Sequence, residues 1–146
     1  FTAALEVLHG QDGVDAGRTA AIGYCMGGAI ALGMARQGAD LDAVVSFHGA
    51  LGTETPAAPG AVKGRLLVCT GADDDFVPAE QVEAFRAEMD AAGAKCEIVS
   101  YPGVVHAFTN PGATAKGEEF GLPLRYDAEA DADSWARMKA LFAEAL

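Results

Sequence analysis

Gly23-Tyr24-Cys25-Met26-Gly27-Gly28 follows the short apolar run Thr19-Ala20-Ala21-Ile22 and precedes Ala29-Ile30-Ala31-Leu32-Gly33-Met34-Ala35. The first run has the length of a strand and the second reads as a buried helix, so the residues between them must turn the chain tightly. Glycines on both sides of Cys25 allow strained backbone and close contact between strand and helix. A thiol at the apex of such a turn projects above the edge of a sheet, which is where a nucleophile sits. Free cysteine is commonly a small buried hydrophobe; the Gly-x-Cys-x-Gly spacing at a strand-helix junction sets Cys25 apart. Cys69 and Cys96 lie inside apolar, strand-like runs and keep the structural reading.

Working outward, the chain alternates helices and strands. Thr2 to His9 reads as a helix, and the polar turn Gln11 to Arg18 leads into a strand over Thr19 to Gly23. The helix after the turn runs to Gln37 and stops at Gly38. Ala43 to Phe47 and Arg65 to Thr70 are further strands, separated by a Pro- and Gly-bearing loop from Gly49 to Gly64. An acidic loop, Gly71 to Asp75, follows. Pro78 suits a first helical position, Val82, Phe85 and Met89 recur at helical spacing, and Gly93 closes that helix. Cys96 to Tyr101 is a fourth strand, Pro102 to Asn110 a loop carrying His106, and Asp127 caps a last helix with Trp135, Met138, Leu141 and Phe142 on its inner face. This order predicts an α/β fold of three layers with a mainly parallel sheet, whose carboxyl-end loops share one rim.

The 146 residues, 51% of them hydrophobic, are enough for one domain, 1–146, with a sizeable core. The net charge of -11, from 10 basic and 21 acidic residues, argues against a nucleic-acid partner, which would demand clustered Lys and Arg. No apolar run approaches the roughly 18 residues of a membrane span. Three cysteines form no disulfide framework, so a reduced, cytoplasmic setting is expected. Residue 1 is Phe, so the chain is expected either to have lost its initiator region or to be cut from something longer.

Three chemistry-bearing groups fall just beyond successive strands: Cys25, an aspartate of the 73–75 cluster, and His106. A thiol gains reactivity from an imidazole that takes its proton and from a carboxylate that orients the imidazole. Among the aspartates, Asp74 lies far enough past Gly71 to turn toward His106; Asp73 and Asp75 read as solvated or capping residues. Three consecutive carboxylates seldom aim at one ion, so no metal is expected, and no cofactor. His48, at a strand end on the same rim, is a pocket-lining candidate, and His9 reads as structural or solvent-exposed. The order nucleophile, acid, histidine is that of α/β-hydrolases. Gly23-x-Cys25 lacks the Gly-x-Gly-x-x-Gly spacing of a dinucleotide site.

Gly23-Tyr24-Cys25-Met26-Gly27-Gly28, Gly71-Ala72-Asp73-Asp74-Asp75-Phe76-Val77-Pro78 and Val105-His106-Ala107-Phe108 together resemble the carboxyl-terminal part of dienelactone hydrolase family proteins, and the similarity extends over nearly the whole chain. The resemblance implies an α/β-hydrolase fold cleaving a small ester or lactone, with Cys25 as nucleophile, His106 as base, Asp74 as its orienting acid and the Met26 backbone N–H as an oxyanion donor. It also implies that earlier strands, a second oxyanion donor and a Glu that holds the resting thiol are absent here. The Thr19 to Gly23 strand is then expected to be an unpaired edge that favours self-association. His48, Phe76, Phe108 and Asn110 are expected around the substrate. Asn110 stands where the family has an Arg that holds a substrate carboxylate, and an amide cannot form that bidentate charged pair. The competing expectation is a non-catalytic binding or assembly module on a hydrolase scaffold.

Overall fold

Four apolar runs pair in chain order into one parallel sheet: β1 (Ala20–Tyr24), β2 (Ala43–Phe47), β3 (Arg65–Gly71) and β4 (Cys96–Tyr101). The architecture comes from a computed structural model that describes every residue from Phe1 to Leu146. Around the sheet lie five helices, α1 (Thr2–His9), α2 (Met26–Arg36), α3 (Ala79–Ala92), α4 (Ala113–Phe120) and α5 (Ala128–Ala145). Every residue of β2 and all but the first of β3 are buried, as central strands covered on both faces must be. Strand alternation sends Val44, Leu66 and Val68 to one face, under Leu32 of α2 and Phe85 and Met89 of α3. Ala43, Val45, Phe47, Leu67 and Cys69 go to the other, under Met138 and Leu141 of α5. The result is the expected three-layer α/β arrangement. Burial of a side chain such as Leu32, Phe85 or Leu67 contributes about 1.5–3 kcal/mol, so both faces are needed to hold the sheet.

Several boundaries differ from the sequence reading. β1 begins at Ala20 and includes Tyr24; Thr19, just before it, donates its N–H to the Asp42 carboxylate and accepts the Asp42 N–H at its carbonyl, both at 2.8 Å. Pro78 occupies the N-cap of α3, with extended ψ, not its first turn. The helix α4 has no counterpart in the sequence reading. It is short, its interior holds Gly117, and only Ala113 and Gly117 are buried, so it carries no apolar period. Gly117 is required by packing, since a Cβ there would meet the Leu124 and Leu122 carbonyls. On α5 the buried residues are Ala130, Ser134, Met138 and Leu141, and Trp135 is 45% exposed, which corrects its expected place on the inner face.

The parallel connection from β2 to β3 has no helix. Its loop, 48–64, is held instead by polar contacts made in the interior. Arg36 at the end of α2 meets Glu88 of α3 through two hydrogen bonds of 2.8 Å and donates to the Leu51 carbonyl at 2.6 Å. Glu88 accepts from the Ala57 N–H at 2.8 Å, and Gln81 accepts from the Leu51 N–H at 2.6 Å. The Leu51 N–H and carbonyl and the Ala57 N–H are thereby satisfied without secondary structure.

The turn between β1 and α2 depends on Gly23, where a Cβ would overlap the Gly27 carbonyl and the Gly28 amide. Neither obstacle is a movable side chain. Gly23→Ala is expected to destabilise the fold by about 3 kcal/mol, in the range of overpacked sites. Urea unfolding checks this, and a wild-type midpoint would show that strand and helix do not need this close approach.

Candidate active site

Cys25 is the N-cap of α2 and has φ 51° and ψ -120°, a conformation non-glycine residues avoid. The strain is held by backbone bonds. The Cys25 N–H donates to the Phe47 carbonyl at 3.0 Å, and its carbonyl accepts from Gly28 and Ala29 at 3.0 and 3.2 Å. The side chain therefore projects off the carboxyl end of the sheet, where it is exposed. Next to it, Met26 opens α2 and has no acceptor for its amide inside that helix.

His106 and Asp74 arrive from two other loops. The Cys25 Sγ lies 3.2 Å from the His106 Nε2, and the His106 Nδ1 lies 2.8 Å from the Asp74 Oδ2. The second Asp74 oxygen accepts from the Phe76 N–H at 2.9 Å, which fixes the carboxylate in its own turn. Because a carboxylate anion only accepts, the His106 Nδ1 is the donor to Asp74, and Nε2 is the ring nitrogen that faces the sulfur. The loop holding His106 is pinned by Arg125, whose N–H donates to the His106 carbonyl at 3.2 Å.

Two rings grip the imidazole edge-on. His48 packs against it with centroids 5.0 Å apart on one side, and Phe76 at 5.0 Å on another. Burial disfavours a charged His106, but its hydrogen bonds to Asp74 and Cys25 and their charges outweigh that and raise its pKa above the usual 6.5. For His48 burial wins, aided by the neighbouring His106, and its pKa falls to about 4, leaving it neutral. Its Nε2 bonds the Thr109 hydroxyl at 2.9 Å. Burial also pushes the thiols of Cys69 and Cys96 up to about 12, so neither supplies thiolate near neutral pH. The three non-glycine residues with positive φ are Cys25, His48 and Ala107, and all three line the same cleft. Backbone strain gathered in one place is a mark of functional sites.

The cleft has a volume of about 1310 Å³ and is walled by Phe76, Asn110, Leu124, Tyr126 and Trp135 as well as Cys25 and His106. Of the residues expected around a substrate, His48, Phe76 and Asn110 line it. Asn110 spends its side-chain oxygen on the Gly112 N–H at 2.9 Å, leaving only its amide nitrogen free to donate. Phe108 does not line the cleft. It is 0% exposed and packs beneath His48, centroids 5.3 Å apart, because the left-handed turn at Ala107 drives the next side chain inward to the core.

The profile of the dienelactone hydrolase family matches residues 1–146. The chain belongs to the dienelactone hydrolase family. An uncharacterised Caenorhabditis elegans protein is 34% identical over 139 residues, which cover 91% of this chain and 84% of that one. A Salmonella typhimurium protein provisionally named carboxymethylenebutenolidase is 33% identical over 145 residues, 92% of this chain and 49% of its own. Among solved structures, a dienelactone hydrolase-like promiscuous phosphotriesterase from metagenomic libraries superposes with a TM-score of 0.90 at 41% identity, covering 99% of this chain and 59% of that one. The chain thus spans about half the length of the bacterial curated relatives it matches.

In this dienelactone hydrolase family chain, sequence reasoning missed part of the cleft lining: Leu124, Tyr126, Asp131 and Trp135, with Tyr24 and Lys116. A signal for Trp135 was present. Ala130, Ser134, Met138 and Leu141 form a buried stripe at four- and three-residue steps, and Trp135 is off it. Small residues hid the stripe, since Ala and Ser do not stand out as core.

Proposed function

We propose that Cys25, His106 and Asp74 form the catalytic triad of an ester or lactone hydrolase, acting through a thioester. The observation that carries this reading is the unbroken contact from sulfur to imidazole to carboxylate, 3.2 and 2.8 Å, at the mouth of a cleft. Family membership and the name of the Salmonella relative agree with it. In the first step the His106 Nε2 takes the thiol proton as sulfur attacks the carbonyl carbon. The Met26 N–H donates to the oxyanion, and the released alkoxide takes the proton from Nε2. Water then attacks the thioester, giving its proton to Nε2, and as the C–S bond breaks Nε2 returns that proton to sulfur, so the acid leaves with the thiol restored. Asp74 holds the Nδ1–H throughout, so the free nitrogen always faces sulfur.

Trapping tests the covalent step. Brief incubation with an aryl acetate, acid quench and peptide mass spectrometry are expected to find one acetyl group, on Cys25. Acetylation spread over lysines with none on Cys25 would remove the thioester and favour a non-catalytic scaffold.

The pH profile tests the base. A raised His106 pKa places the acid limb of kcat/KM above pH 6.5, because protonated His106 cannot accept the thiol proton. Asp74→Asn removes a hydrogen bond and a charge that both favour imidazolium, so the limb moves to lower pH. It also loses the tautomer control, with kcat expected to fall by about 10⁴-fold. A limb that stays in place would mean that another group titrates.

A further inference from the structure

The cleft is larger than a small ester needs. Pockets that bury drug-sized ligands measure about 300–1,000 Å³, against about 1310 Å³ here. Its lining is rich in aromatic side chains: Tyr24 at the end of β1, Phe76, Tyr126 and Trp135 of α5, with Leu124 among them. Trp135 is 45% exposed and Tyr24 41%, so both lining rings leave apolar surface in contact with solvent. An aromatic group laid on such a lining removes apolar area from water and gains ring-ring geometry.

Charge points the same way. Lys116 is the cleft's one basic side chain besides the histidines, and it lies exposed on α4. The cleft's one acidic side chain is Asp131, half-buried on α5 one helical turn before Trp135, its Oδ2 accepting from the Tyr126 hydroxyl at 3.1 Å. Burial first, and then the negative charge of Asp131, raise the pKa of Tyr24, so that charge is felt at the end of β1 as well. A carboxylate entering the cleft meets the half-buried charge of Asp131, a lysine whose exposed charge is screened by solvent, and no guanidinium.

We infer that the cleft takes a neutral ester carrying an aromatic group, which lies against Trp135 and Tyr126 while the carbonyl is at Cys25, and that it discriminates against esters and lactones bearing a carboxylate. This rests on Cys25 being the reacting residue and adds the substrate class to it.

The experiment uses 4-nitrophenyl esters, which share a leaving group and so differ only in the acyl part. For the protein as it stands, kcat/KM for the 3-phenylpropionate ester is expected to exceed that for the butyrate by about tenfold, and the hemisuccinate to fall below the butyrate by a similar factor. Trp135→Ala is expected to bring the phenylpropionate-to-butyrate ratio close to one, and Asp131→Asn to raise the hemisuccinate-to-butyrate ratio. A hemisuccinate that outperforms the butyrate, and loses that lead in Lys116→Ala, would overturn the inference and make Lys116 a carboxylate anchor. Equal ratios in wild type and Trp135→Ala would overturn it as well.

Binding without turnover separates this from the catalytic reading. Trp135 is the only tryptophan in the chain and lines the cleft, so its fluorescence reports that lining directly. In Cys25→Ala protein, methyl 3-phenylpropionate is expected to change that fluorescence saturably and monomethyl succinate to do so about tenfold more weakly. Equal or tighter binding of the succinate overturns the substrate class whatever the fate of the thiol. Persisting ester turnover in Cys25→Ala instead overturns the catalytic reading alone.

Discussion

Cys25→Ala is expected to lower turnover of an aryl acetate by about 10⁴-fold or more, the scale on which triad nucleophiles act. The expectation is this large because no other group stands ready. Cys69 and Cys96 are held protonated by burial, with thiol pKa values near 12, and Cys69 is sealed in the core under α5. Only the Cys25 sulfur is exposed with an imidazole 3.2 Å away. Cys25→Ser should retain the geometry and still lose most of the rate, because a hydroxyl gives up its proton far less readily than a thiol. Alkylation reads the same residue without substrate: iodoacetamide should modify Cys25 well before Cys69, and His106→Ala should erase much of that lead. Stopped-flow ester assays and mass mapping check both, and turnover unchanged in Cys25→Ala would dismiss the thiol mechanism.

Arg36→Met is expected to be the most destabilising single change away from the cleft, by about 3–5 kcal/mol. The Arg36 and Glu88 side chains are 6% and 9% exposed, so removing the guanidinium leaves a carboxylate buried without its counter-charge. The loss does not end with the ion pair. The Leu51 carbonyl gives up its 2.6 Å donor, and the loop 48–64 loses one of its few fixed points. The reverse change, Glu88→Leu, strands the guanidinium and the Ala57 N–H in the same way. For a chain of this size such a penalty corresponds to a fall of roughly 10 °C or more in Tm. Thermal and urea unfolding of the two single variants and the double variant give the coupling between them. Near-additive losses would show that the two side chains act independently of one another.

What the sequence discloses follows how strongly local chemistry constrains each element. β2 and β4 are read to the residue, because Ala43–Phe47 is a mainly apolar run between Asp42 and His48, and Cys96–Tyr101 alternates enough to mark a strand before Pro102. The spatial meeting of Cys25, Asp74 and His106 is also legible: parallel strands with one-sided loops bring the three to one rim, and the distances agree. The catalytic roles drawn from that meeting are the proposal above. Phe108 shows the limit. Its position two residues after His106 says it is close to the site, but one left-handed residue, Ala107, decides whether the ring points to substrate or core. No sequence period encodes that. The Arg36–Glu88 pair is equally silent, since each residue looks like the polar side of its own helix and only the three-dimensional crossing puts them together. The short helix α4 and the aromatic wall near it lack apolar periodicity for the same reason: their form is set by what they pack on.

The wedging of His106 between the rings of Phe76 and His48 has a consequence for traffic. On the proposed reading, a side chain with a single station must hand a proton to the departing alcohol and collect one from the incoming water at the same point in space. The two molecules therefore take turns at one doorway, and an alcohol slow to clear it delays its own replacement. Added nucleophiles small enough to pass would compete there with water for the acyl group, making the partition between hydrolysis and transfer a question of who arrives first.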